Sequence, residues 1–121
     1  MGRKPMRVVT FVLLLLVAAC TRVPSASEAK AQAVADAAAA LFRHEPNGDV
    51  PQEAWSPEVS ALNLKAVRIA VEGVYFVTDS WLVEEAGFFV PRHPERFVAA
   101  DGTDPEYRRI HGAVFSYRIR G

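Results

Sequence analysis

The chain has 121 residues, 14 of them Lys or Arg and 14 Asp or Glu, half of it apolar, with one cysteine; this is the length of one domain, and an internal disulfide is excluded. Three of the basic residues (Arg3, Lys4, Arg7) and none of the acids lie in the first nineteen positions, so the rest carries eleven basic against fourteen acidic side chains. A mildly acidic domain lacks the basic footprint of a nucleic-acid binder, while Trp55, Trp81, three tyrosines and six of seven phenylalanines beyond the first nineteen residues give it the apolar content of a folding domain and exclude a disordered tail.

Residues 1–7 (MGRKPMR) form a positively charged start, followed by the uncharged apolar run Val8 to Val17. Ten such residues are half the ~20 that a bilayer-spanning helix needs, and they fit the central region of an export signal. Ala18, Ala19 and Cys20 come next. Val17-Ala18-Ala19-Cys20 resembles the lipobox of bacterial prolipoproteins. The resemblance implies that a diacylglycerol is added to the Cys20 thiol, that cleavage follows before Cys20, and that the new N-terminus is acylated, commonly with a palmitate chain. A thiolate is the nucleophile that can take the lipid, and two or three long chains, at about 0.8 kcal/mol per buried methylene, hold a protein firmly on a membrane. Thr21 rather than Asp follows the cysteine; by the same resemblance this favours the outer membrane, with the domain facing the periplasm. The expected organisation is a signal peptide over 1–19, a lipidated tether over 20–24 and a single α+β domain over 25–121.

Pro24 keeps the tether extended. Ser25-Ala26-Ser27-Glu28 has the pattern of a capping box, with Ser25 as the cap and Glu28 reaching back. The alanine-rich stretch beyond it predicts a helix of about five turns ending near His44. Ala31, Val34, Ala38, Leu41 and Phe42 share one face, and Glu28, Gln32, Asp36 and Arg43 the opposite one. A membrane-lying helix would show a Lys/Arg-rich polar face and large apolar residues; this mixed polar face and small apolar face fit packing on a sheet.

Residues 45–60, with Pro46, Gly48, Pro51 and Pro57, read as a loop that Trp55 pins to the core. The period then changes to two. Val67, Ile69 and Val71 alternate with Arg68 and Ala70, Glu72-Gly73 makes a tight turn with Gly73 at positive φ, and Val74 to Thr78 returns. A third strand spans Gly87 to Val90, entered through Trp81-Leu82-Val83. Asp104-Pro105-Glu106 has the signals of a helix start, predicting about two turns that end at His111-Gly112. A last strand alternates Ala113, Phe115, Tyr117 and Ile119 with Val114, Ser116, Arg118 and Arg120. The expected fold is α+β: the long amphipathic N-terminal helix packed on a small, mainly antiparallel sheet of about four strands, with one short helix before the last strand.

The chemistry-bearing residues are sparse. His44, His93 and His111 lie in three separate segments with no metal-ligand spacing, and there is no second cysteine. Glu84-Glu85 on a strand would point to opposite faces and form a polar rim. Asp101-Gly102-Thr103-Asp104 lacks the register of a calcium loop. No nucleophile-elbow, phosphate-loop or dinucleotide motif is present. Arg108 and Arg109 with Arg118 and Arg120 gather toward the C-terminus as a small basic spot. No catalytic residue, metal or cofactor is therefore expected. The two-faced strands Tyr75-Phe76-Val77 and Phe88-Phe89-Val90 exceed what one helix can cover; loops or a partner must cover the rest. This makes Tyr75, Trp81, Phe88 and Phe89 candidates for binding a partner, and it suggests a non-enzymatic envelope lipoprotein with a protein partner as well as its membrane. An immunity or inhibitor protein against a periplasmic toxin or wall hydrolase, and a carrier of a small molecule or lipid, are the alternatives.

Overall fold

The computed structural model describes residues 21–100 and 102–121; Cys20 and the signal segment lie outside them, as does Asp101. Helix α1 runs from Glu28 to His44 and is followed by β1 (Gly48–Asp49), a 3-10 turn (Gln52–Ala54) and the short helix α2 (Pro57–Ser60). Then come β2 (Ala66–Ile69), β3 (Gly73–Trp81), β4 (Glu84–Pro91), a second 3-10 turn (Pro94–Arg96), β5 (Glu106–His111) and β6 (Val114–Ile119). The fold is α+β, and the antiparallel sheet has six strands in the order β1-β2-β3-β4-β6-β5, larger than the four expected.

Helix α1 forms for the reason its sequence gives. Ala31, Val34, Ala37, Ala38 and Leu41 are buried, and Arg43 and His44 sit in the last turn, where cations favour the helix dipole. The start differs from expectation. Ser27, not Ser25, is the cap, its hydroxyl accepting from the Lys30 amide at 3.2 Å. Ala26 packs against the core, which keeps that stretch extended and leaves Glu28 outside any reciprocal box. Ser27→Ala is expected to cost about 1 kcal/mol in urea unfolding, whereas Ser25→Ala should leave the midpoint unchanged.

The loop after α1 holds more structure than its prolines suggest. β1 pairs with β2 through Gly48↔Ile69 and Asp49↔Arg68. Ser56 caps α2, with Pro57 at its first turn, and buries Val59. Trp55 pins the segment as expected, its indole N–H donating to the Val50 carbonyl at 3.1 Å. Arg92 staples the same end, donating to Asn47, Ala70 and Val71 oxygens while its guanidinium lies 4.5 Å from the centre of the Phe42 ring.

Three sequence expectations about the sheet change. Gly73 lies within β3 without a positive φ; a Cβ there would meet the Val90 carbonyl at 2.3 Å and the Phe89 ring at 2.7 Å, so close packing is what requires glycine. β3 runs on through a bulge between Val77 and Asp79 to Trp81, and the turn into β4 is the two-residue Leu82-Val83. Leu82 there has φ 55°, a left-handed conformation that costs a side-chain-bearing residue roughly 1–2 kcal/mol. After the entropy cost of glycine, Leu82→Gly is expected to leave stability unchanged or raise it by up to about 1 kcal/mol, read as a thermal midpoint.

Finally, residues 106–111 form β5, not a helix. Asp104 accepts from the Arg120 amide at 2.8 Å instead of capping, Tyr107 pairs with Tyr117, and Arg109 with Phe115. Pairing with β6 outweighs the local helix-start signals.

Each face of the sheet has its own core. On the helix side, Val67, Ile69, Val74, Phe76, Phe88, Val90 and Val114 pack against α1, Val50, Val59 and Leu62. On the other side, Tyr75, Phe89, Phe115 and Tyr117 are buried with Phe97, Tyr107, Ala70 and Ile119 against them. Phe97 comes from the loop after β4 and stacks on Phe89, Tyr107 and Phe115 at 4.9–5.2 Å between ring centres. A loop thus covers part of the face that the helix leaves open.

Candidate functional site

Beside this aromatic cluster, on the half of the second face nearest β2, lies a linked set of polar groups. Alternation puts Arg68 on the face opposite Val67 and Ile69, and the β2–β3 register sets it across from Tyr75. Its guanidinium lies 4.8 Å from the centre of the Tyr75 ring, within the range of a cation–π contact. The same guanidinium reaches over β3 to Glu85 of β4, donating to both carboxylate oxygens at 2.9 and 3.2 Å. Such a fork-to-fork pair is among the stronger hydrogen-bonded ion pairs.

Glu85 also accepts from the Tyr117 hydroxyl at 2.8 Å. A second link joins the hydroxyls of Tyr75 and Tyr107 at 2.7 Å, and Tyr75 donates to Glu72 at 3.2 Å. Arg68, Glu85, Tyr117, Tyr75, Tyr107 and Glu72 therefore make a band running from β6 and β5 across to β2 and the β2–β3 turn. Gly87 makes the band compact: with no side chain on this face, it lets the Tyr117 ring lie directly against β4.

Electrostatics fix the protonation states. Burial pushes the Glu85 carboxyl up, but the hydrogen bonds from Arg68 and Tyr117 and the Arg68 charge outweigh it, so the group stays below the usual carboxylate range. Hydrogen bonding to Glu85 raises Arg68 further against its own desolvation. Burial pushes all three tyrosines up, helped at Tyr117 by the Glu85 charge and at Tyr75 by Tyr107. At neutral pH Glu85 is a carboxylate, Arg68 a guanidinium, and Tyr75, Tyr107 and Tyr117 are neutral phenols. The exposed edge of the band can offer hydrogen bonds and the Arg68–Glu85 ion pair to a ligand, over the buried rings of Tyr75 and Tyr117.

Of the four residues the sequence nominated, the structure brings two together. Tyr75 is in the band, and Phe89 lies beneath it with ring centres 4.7 Å apart. Both are buried, with Phe89 fully so. Phe88 is a correction: it points to the other face, fully buried among the helix-side core residues, and offers no surface. Trp81 is 56 % exposed but stands at the end of β3 paired with Glu84, on the face opposite Glu85 and the band. Sequence reasoning missed Arg68, Glu85, Tyr107 and Tyr117 as site residues. A usable signal existed in Arg68, a lone charge between two buried β-branched residues, which becomes informative once the hairpin register sets it opposite Tyr75.

The remaining chemistry-bearing residues stay apart. His44 ends α1, His93 lies 3.6 Å from Glu95, and His111 lies 3.5 Å from Glu28. Among the described residues, no group of three or more His, Cys, Asp or Glu side chains is placed to hold a metal ion. No described helix is long and apolar enough to cross a membrane. No protein-family model, no curated protein and no solved structure matches the chain.

Proposed function

We propose that this chain is a membrane-anchored envelope lipoprotein, held through a lipid on Cys20, that acts without catalysis by binding another envelope protein through the Arg68–Tyr75–Glu85 band. One observation carries the binding role. The face not covered by α1 presents the partly exposed Arg68 and Tyr107 side chains, held in place by Glu85 and by the buried Tyr75, with the Arg68 charge paired before any partner arrives. Tyr and Arg are the residue types that dominate protein-binding hot spots, and a pre-organised surface loses little side-chain freedom on binding. Neutral phenols and a firmly ionised carboxylate suit recognition better than proton transfer. The lipobox resemblance supports the location, with the outer membrane and a periplasm-facing domain following from Thr21.

The carrier reading is weaker, since it calls for an enclosed cavity; the cleft between α1 and α2, about 200 Å³ and lined by Ala37, Leu41 and Val59 among others, opens to solvent. An inhibitor or immunity role remains a special case of the same reading, distinguished by the identity of the partner.

Photo-crosslinking in cells tests the proposal. A benzophenone amino acid at Val71 or Val98, both exposed beside the band, is expected to trap one envelope protein in near-equal amount. Gln32 on the outer face of α1 should trap none, and Arg68→Glu should abolish the adduct at Val71 and Val98. Adducts of equal yield and identity from all three positions, or adducts indifferent to Arg68→Glu, would remove the band from the interaction.

A further inference from the structure

Among the described residues, three of the six exposed large apolar side chains stand together, with Val23, Val71 and Val98 apart from them. Trp81, Leu82 and Val83, exposed by 56, 88 and 72 %, are consecutive at the tip of the β3–β4 hairpin. Turn chemistry at this position favours Gly, Asn or Asp, yet Leu82 occupies it at φ 55°. A bulky apolar residue held in a left-handed conformation, where a polar or small one would sit at lower cost, points to a use for the side chain itself.

The described tether runs to the same end of the sheet. The Arg22 amide donates to Asp79 Oδ2 at 2.8 Å, and the Arg118 guanidinium donates to the Thr21 carbonyl. Asp79 and Arg118 both pair with Ala86, two ladder positions from the Trp81–Glu84 pair that closes the hairpin. With a rise of about 3.3 Å per strand residue, Thr21 is held roughly 7 Å along the strands from that pair. The residue joined to the Thr21 amide is Cys20. Arg22, Lys65, Arg118 and Arg120 lie at this end, together with Asp79, bonded to the Arg22 amide and 3.5 Å from Lys65, Glu84 beside the tip, Glu85 one ladder position from it, Asp104, bonded to the Arg120 amide, and Glu106, 3.9 Å from Arg120.

We propose that the Trp81-Leu82-Val83 tip is a second membrane contact, inserted at the headgroup–acyl boundary of the bilayer that holds the Cys20 lipid. This rests on the lipoprotein reading of Cys20. The partner is a bilayer because the tip is continuous with the anchoring point and combines Trp with branched aliphatics. Trp is enriched at membrane–water interfaces, and membrane binding strengthens with the apolar area buried at the headgroup–acyl boundary. Two contacts orient the domain where a lone tether would let it tumble. With the β3–β4 tip against the lipid, the β2–β3 turn and the Phe97 loop point away from the membrane. The Arg68–Tyr75 end of the band then faces partners in solution.

The test uses the full chain purified from membranes and reconstituted into vesicles of phosphatidylethanolamine and phosphatidylglycerol, with or without brominated acyl chains. Trp81 emission is expected to shift to the blue on these vesicles and to be quenched by the brominated chains. Trp81→Phe should remove both effects, leaving the unquenched signal of Trp55. Leu82→Gly, which the turn geometry tolerates, should reduce the quenching without lowering the thermal midpoint. Trp81 emission that stays unshifted and unquenched overturns the proposal. The intact mass of the same sample tests the anchor separately. If the lipid is present and Trp81 unquenched, the anchor stands and the tip contact fails. If the lipid is absent but Trp81 is quenched, the tip contact stands and the anchor fails.

Discussion

Gly87→Ala is expected to destabilise the domain by about 4 kcal/mol, beyond the 1–3 kcal/mol typical of overpacking, and to lower the thermal midpoint by some 15–30 °C for a domain of about a hundred residues. The added Cβ would lie 1.9 Å from the Phe76 carbonyl oxygen, 2.9 Å from the Phe76 carbonyl carbon and 3.0 Å from Tyr117 Cε1. Two of these neighbours are backbone of β3, hydrogen-bonded in the middle of the sheet, and cannot swing away as a flexible side chain would. Relief requires β3 and β4 to separate, or β4 to shift and carry Glu85 and Phe89 with it. The substitution should therefore also weaken the contacts of Tyr117, visible as lost near-ultraviolet dichroism from the aromatic cluster before global unfolding. Gly112→Ala is the control. It has φ 57° but nothing within 4 Å of the added carbon, so its cost is that of a left-handed alanine, roughly 1–2 kcal/mol. A Gly87→Ala loss no larger than that of Gly112→Ala would mean the strands have room that the structure denies them.

What the sequence made legible follows the range of the interactions involved. Helix α1 could be read because its burial is set by a local period, and alanine helix propensity agrees with that period. The β2–β3 hairpin could be read from alternation on either side of a turn, but its register could not: the turn is Val71-Glu72, not Glu72-Gly73, so Ile69 rather than Val71 faces Val74 and Val71 is exposed. β5 was misread because Asp104, Pro105 and Glu106 each carry a genuine local helix signal, while the deciding partners, Arg120 for Asp104 and Tyr75 for Tyr107, lie 16 and 32 residues away. β1 has two residues, too few to show any period. The candidate site suffers most from distance. Arg68 finds Glu85 only after β3 is placed between their strands and a bulge at Val77/Asp79 sets the register beyond it. Reading Glu84-Glu85 as a polar rim is right about opposite faces, but it cannot reveal that one of the two faces an arginine and a buried tyrosine. Phe88 and Phe89 look alike in the sequence; one belongs to each core, and only the covering elements decide which lies near a surface.

Stability should fall as the pH drops below the ordinary glutamate range, and Glu85→Gln should flatten a large part of that fall. In the folded protein Glu85 is held below its usual value, the Arg68 and Tyr117 hydrogen bonds and the Arg68 charge outweighing the effect of burial; the unfolded chain restores a value near 4.3. A depressed carboxylate contributes stability that is present in full above the unfolded value and is lost as the pH falls through the folded one. The window thus opens near pH 5 and closes below the depressed value. Asp79 titrates in the same direction, lowered chiefly by the Arg22 amide, so Asp79→Asn should flatten part of the remainder, and the two variants should add because the groups lie on opposite faces. At neutral pH, Glu85→Gln keeps the volume and an acceptor for Tyr117 but leaves the half-buried guanidinium without its ion pair. The expected loss is on the order of 2 kcal/mol, since hydrogen bonds to charged groups contribute about 1.5–3 kcal/mol and the partial exposure of both side chains screens the charge. Arg68→Met should cost less, because a methionine covers Tyr75 while Glu85 keeps the Tyr117 bond. A double-mutant cycle over urea unfolding at pH 7 should return a coupling of about 1 kcal/mol between Arg68 and Glu85. A coupling near zero, with an acid limb identical to that of the wild type, would mean that the pair is too solvated to hold the band in shape.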